Sequence, residues 1–78
     1  MIEEIKQKYK KLDDKKSFKL FISDVLGKKY NTIHLNWFTG DFSKVPEDLR
    51  TRINTELDKQ LELDEKINEI RLKRYVRV

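Results

Sequence analysis

Ile2, Ile5, Tyr9 and Leu12 recur three or four residues apart, which predicts a short amphipathic helix at the N-terminus. Asp13 and Asp14 follow, and either suits the N-cap of a second helix. Phe18, Phe21, Ile22 and Val25 form the apolar stripe of that helix, widened by Leu20 and Leu26. Gly27 then stands where a helix C-terminus asks for a left-handed residue, a conformation glycine adopts without a Cβ clash. A third helix is expected to start near Asn31, with the Asn31 side chain as its cap, and to stop by Thr39–Gly40. Ile33 and Trp37 lie one turn apart on it, with Tyr30 near the same face.

The stretch FTGDFSKV reads as a loop from which Phe42 or Val45 tucks under the domain. Pro46 suits the first turn of another helix, and Glu47 and Asp48 complement the positive end of its dipole. Leu49, Ile53, Leu57 and Leu61 then repeat every four residues, and Leu63, Ile67 and Ile70 continue at a shifted phase. Residues 46–70 are therefore one long helix, or two with a break near Leu61–Asp64. The tail IRLKRYVRV is read as a strand, a frayed helical end or a disordered basic arm. The expected fold is all-α: a small domain of four to five helices spanning residues 1–78. The pair of helices joined by a turn at Gly27 lies at about 14–40, a C-terminal packing and dimerisation helix at about 46–70 and a basic tail at 71–78.

Seventy-eight residues bury a limited core. With no cysteine, neither disulfides nor a cysteine-based zinc site can reinforce it, so a partner subunit is the natural source of extra buried area. No apolar run has the length of a membrane span and the N-terminus lacks a signal-peptide pattern, so no membrane association and a cytoplasmic location are expected. Charged residues make up 41 % of the chain and their placement is uneven. Residues 1–30 carry nine Lys/Arg against five Asp/Glu, residues 44–70 carry five against eight, and residues 71–78 carry four bases and no acid. Basic ends flanking an acidic stretch raise the expectation of a nucleic-acid partner.

A single histidine, no cysteine and no glycine-rich phosphate loop leave nothing around which a catalytic site would converge. Neither enzymatic activity, a metal nor a cofactor is expected.

The segment KLFISDVLGKKYNTIHLNWF, residues 19–38, provides two helices with apolar inner faces (Ile22 and Leu26; Ile33 and Trp37) and a glycine between them. It resembles the helix-turn-helix regulators of small bacterial and phage type. In that family a glycine stands ninth and an aliphatic residue fifteenth in a twenty-residue unit, the places of Gly27 and Ile33 counted from Lys19. Ser23, small but polar, stands where alanine or another small residue is usual, and Lys28 and Asn36 stand where apolar residues are common. The resemblance implies that the third helix lies in the major groove of a DNA duplex.

At roughly 100° per residue, Asn31, Thr32, Leu35 and Thr39 fall opposite Ile33 and Trp37, with His34 and Asn36 on the flanks. Asn31, Thr32, Leu35, Asn36 and Thr39 are the candidates for contact with base edges: Asn can pair with adenine, and Leu or the Thr methyl can meet a thymine methyl. Lys15, Lys16, Lys19, Lys28, Lys29, Tyr30 and His34 are the candidates for phosphate contact, which gives affinity without sequence information. The plainer readings are that Asn31 and Thr32 are ordinary cap residues, that Leu35 is core in a different packing, and that Trp37 and Phe38 are core anchors.

Two functions follow as expectations. The first is a sequence-specific double-stranded DNA-binding protein, a small transcriptional regulator, acting as a homodimer through Leu63, Ile67 and Ile70. The second is a small helical protein–protein interaction module, such as a phage-type inhibitor or assembly factor, using an exposed Leu35/Phe38 patch or the C-terminal helix.

Overall fold

A computed structural model describes the backbone of residues 1–76 and the side chains through Leu72. The described chain is all-α. Helix α1 spans Ile2–Lys10 and α2 spans Lys15–Leu26. Helix α3 opens as an α-helical turn, Tyr30–Thr32, and continues as a π-helix, Ile33–Trp37. After a loop, a 3-10 turn at Glu47–Leu49 leads into the long α4, Arg50–Val76. Pro46 is the cap residue of that turn and lies just outside its first helical position. Residues 50–76 run without a break, so the tail through Val76 continues α4; residues 77–78 lie outside the described residues.

The core is built from all the helices and the loop. Ile5, Tyr9 and Leu12 come from α1 and the residues after it, Phe18 and Ile22 from α2, and Ile33, Trp37 and Phe38 from α3 and its exit. Phe42 and Val45 come from the loop, and Ile53 and Leu57 from α4; Ile2, Leu26, Leu49 and Leu61 pack around the edge. Both loop candidates, Phe42 and Val45, are inside. The apolar stripe expected of α2 is narrower than its sequence. Phe18 and Ile22 are buried, whereas Leu20, Phe21 and Val25 are exposed. Seventy-eight residues supply neighbours for only one flank of that helix.

Three aromatic rings pack together within this core. Phe38 stacks on Tyr9 with ring centroids 4.6 Å apart, and Phe42 meets the edge of Tyr9 at 5.5 Å and Phe38 at 5.7 Å. To reach that place Phe42 adopts φ 64°, a left-handed backbone uncommon for a bulky residue. Burial of its ring offsets that strain.

Polar contacts tie distant segments to α4. The Lys8 ammonium donates to Asn54 Oδ1 at 2.9 Å and lies 2.8 Å from Asp58 Oδ1. Arg50 donates to the carbonyls of Val45 and Ser43, pinning the loop. The two aspartates at 13–14 divide their work. Asp14 caps α2, accepting from the Ser17 N–H and hydroxyl, and these bonds hold its carboxyl below the usual range. Asp13 instead reaches α4: its N–H donates to Asp64 Oδ2 and its carboxylate accepts from Asn68, each at 3.3 Å.

Candidate nucleic-acid interface

The junction between α2 and α3 is three residues long, Gly27 to Lys29. Its geometry follows from the glycine. Gly27 has φ 64°; its N–H donates to the Asp24 carbonyl and the Lys28 N–H donates to the Ser23 carbonyl at 3.1 Å. These two bonds satisfy carbonyls that a helix end otherwise leaves unpaired. The Ser23 hydroxyl closes the turn from the other side by donating to the Lys28 carbonyl. Ser23 thus acts as a latch for the turn, which its residue type alone did not reveal. A Cβ on Gly27 would meet nothing within 4 Å, so its substitution is opposed by backbone conformation alone. Gly27→Ala is expected to lower stability by about 1–2 kcal/mol in urea unfolding, with little change in the size of the transition.

Helix α3 starts one residue before Asn31. Its N-cap is Lys29, and no side chain caps it, so the expected Asn31 cap does not form. Ile33 then begins a π-helical stretch, in which the Phe38 N–H donates to the Ile33 carbonyl five residues back. This wider turn brings both Trp37 and Phe38 to the same side as Ile33, and all three are buried. An ordinary α-helix would aim residue 38 well away from residue 33. The Leu35/Phe38 patch considered for a protein partner is therefore corrected: Phe38 is an interior ring, and only Leu35, 63 % exposed, is outside.

The proposed base-reading set is on the surface. Asn31, Thr32, Leu35, Asn36 and Thr39 are all exposed, and the segment 28–39 carries no acid. Leu35 is not core. The Thr39 hydroxyl donates to the Leu35 carbonyl at 3.1 Å, which leaves its oxygen free to accept.

The phosphate-contact set divides into two groups. Lys16, Lys28 and Lys29 are exposed; Lys28 and Lys29 lie at the α3 entry, and Lys16 at the other end of α2, about 18 Å of helix away. The remaining four make contacts within the protein, although Lys15 and His34 are exposed as well. The Lys15 ammonium donates to the Leu12 carbonyl at 3.2 Å and lies 6.0 Å from the Tyr9 ring centroid. Lys19 is only 9 % exposed, with its Nζ 2.7 Å from His34 Nδ1 and 5.8 Å from the Tyr30 ring centroid. Tyr30 is half-buried and stacks on His34, with centroids 5.5 Å apart and planes 7° from parallel. Lys19, Tyr30 and His34 thus form a clamp fastening the start of α3 to α2. An ammonium can only donate, so this contact requires Nδ1 of His34 to accept, which favours the Nε2–H tautomer. Long-range nitrogen–proton NMR of this single histidine is expected to report the Nε2–H tautomer in wild type, and tautomer averaging in Lys19→Met.

Among the described residues no helix is long and apolar enough to cross a membrane, and no group of three or more His, Asp or Glu side chains could hold a metal ion. Comparison of the chain with protein-family models, with curated proteins and with solved structures gives no match.

Proposed function

We propose that this protein is a sequence-specific double-stranded DNA-binding protein, a small cytoplasmic transcriptional regulator that places α3 in the major groove. The observation that carries the reading is the α2–turn–α3 unit: two helices joined by three residues, with an exposed polar face free of acids beside two exposed lysines. Asn31, Thr32, Leu35, Asn36 and Thr39 would read base edges, and Lys16, Lys28 and Lys29 would hold phosphates. The clamp of Lys19, Tyr30 and His34 would set the tilt of α3 and so the register of that face. The protein would act as a homodimer through Leu63, Ile67 and Ile70, because a two-fold protein reads two half-sites. The reading includes no cofactor and no catalysis.

The test is selection from a randomised duplex pool near physiological salt. Recovery of a motif containing an inverted repeat is expected. Motif-free recovery, with affinity set by salt alone, would leave the unit without a reading role.

One observation favours a second reading, a protein–protein interaction module such as a phage-type inhibitor or assembly factor. Leu20, Phe21 and Val25 leave an apolar flank of α2 in solvent. A complex formed there would bury apolar surface and keep its affinity as salt rises, unlike a duplex complex.

A further inference from the structure

The distal half of α4 presents a second apolar surface whose charges suggest what covers it. Leu63, Ile67 and Ile70 are 52, 45 and 60 % exposed. Spaced four and three residues apart, they share one face of the helix. The body of the domain meets α4 roughly a third of a turn away, through Leu57, Leu61, Asp64 and Asn68. The 63/67/70 stripe is therefore clear of the domain's own core.

Charge along this helix is segregated. Residues 58–65 hold four acids and one lysine, whereas residues 71–76 hold three bases and no acid. A parallel pair of such helices would set acid beside acid and base beside base. An antiparallel pair centred on Ile67 places each basic end beside the acidic stretch of the other copy. In that register Ile67 meets Ile67 and Leu63 meets Ile70, with Asp64 on one flank of the seam level with Arg71 of the other copy. Like charges opposed across such a seam are destabilising and opposite charges select orientation.

We infer that the occupant of this face is a second copy of the chain, bound antiparallel through Leu63, Ile67 and Ile70. The pairing has a metric consequence. The Ile53–Leu57 part of each core lies about twelve residues from the centre, so the two cores stand roughly 36 Å apart along the helix pair at 1.5 Å per residue. On the proposed DNA reading, cores at this separation are on the scale of one turn of a duplex. This last step rests on the proposed DNA reading; the pairing itself does not.

The chain has no cysteine, so single cysteines report register cleanly. Wild type is expected to sediment as a concentration-dependent dimer. Leu63→Asp combined with Ile67→Asp is expected to sediment as a monomer with an unchanged helical spectrum. Under mild oxidation Ile67→Cys is expected to form a covalent dimer. Leu63→Cys should cross-link at least tenfold more slowly with itself than with Ile70→Cys, because like positions lie about 12 Å apart in the antiparallel register, beyond disulfide reach. Self-linking of Leu63→Cys as fast as Ile67→Cys would overturn the orientation. A wild type that remains monomeric at all concentrations, or a double-aspartate variant that remains dimeric, would overturn the interface. A correctly cross-linked dimer that selects no paired motif with centres about ten base pairs apart would count against the DNA reading and leave the pairing standing.

Discussion

Trp37→Ala should remove a large share of the stability of this domain. Trp37 is buried, and together with Ile33 and Phe38 it makes the apolar attachment of α3 to the body. Truncating a buried tryptophan costs about 3–5 kcal/mol, through lost transfer energy and the cavity left behind. A chain of this length has roughly 4–12 kcal/mol in all. The urea midpoint of Trp37→Ala should therefore fall by about a quarter or more, or the variant should be largely unfolded in buffer. Leu35→Ala, two residues away and on the outside, should stay within about 0.5 kcal/mol of wild type. Equal losses in the two variants would mean that α3 packs through a different face. The contrast tests the π-helical turn directly, because that turn brings Trp37 and Phe38 inward together and leaves Leu35 out.

Lys28→Glu with Lys29→Glu should reduce duplex affinity on the order of 100-fold or more at low salt, and flatten its dependence on salt concentration. Both side chains are exposed at the entry to α3, so the double reversal should leave the urea midpoint and helical content near wild type. A combined loss of affinity and salt slope without loss of fold assigns these two residues to phosphate. Unchanged affinity for a selected motif would remove the turn from the contact surface. Lys19 belongs to a different class in spite of its similar sequence setting. Its stem is buried and its ammonium is bonded to His34, so Lys19→Glu should damage the α2–α3 packing as well as any binding.

Much of the architecture is legible in short windows of sequence. The three- and four-residue spacing of Ile2, Ile5, Tyr9 and Leu12, and of Leu49, Ile53, Leu57 and Leu61, marks helices that bury those residues wholly or in part. Aspartate before α2 and glycine after it act where local chemistry places them, since a cap needs only backbone groups within three or four residues. For the run after Pro46 the sequence left open one helix or two with a break near Leu61–Asp64; the structure makes it a 3-10 turn followed by one unbroken helix from Arg50. The exposure of Asn31, Thr32, Leu35, Asn36 and Thr39 also followed from the periodicity of α3, with Ile33 and Trp37 facing inward.

What the sequence by itself determined is therefore the helices, the Asp14 and Gly27 caps of α2 and the exposed side of α3, all set by interactions among near neighbours in the chain. Tertiary packing decided the rest. Phe18 and Phe21 are equally apolar, but only the Phe18 flank of α2 finds neighbours, so Phe21 and Val25 stay in solvent. Asp13 and Asp14 are equally good caps; the reach of α4 past the body gives Asp13 to Asp64 and Asn68. Lys19 looked like any surface lysine until α3 brought His34 and Tyr30 across from fifteen and eleven residues away. The widened turn after Ile33 places two large rings, Trp37 and Phe38, in one core, where Phe38 stacks on Tyr9 of α1. Each of these outcomes depends on which distant side chain arrives at a given place, and that is settled only when the whole core closes at native density.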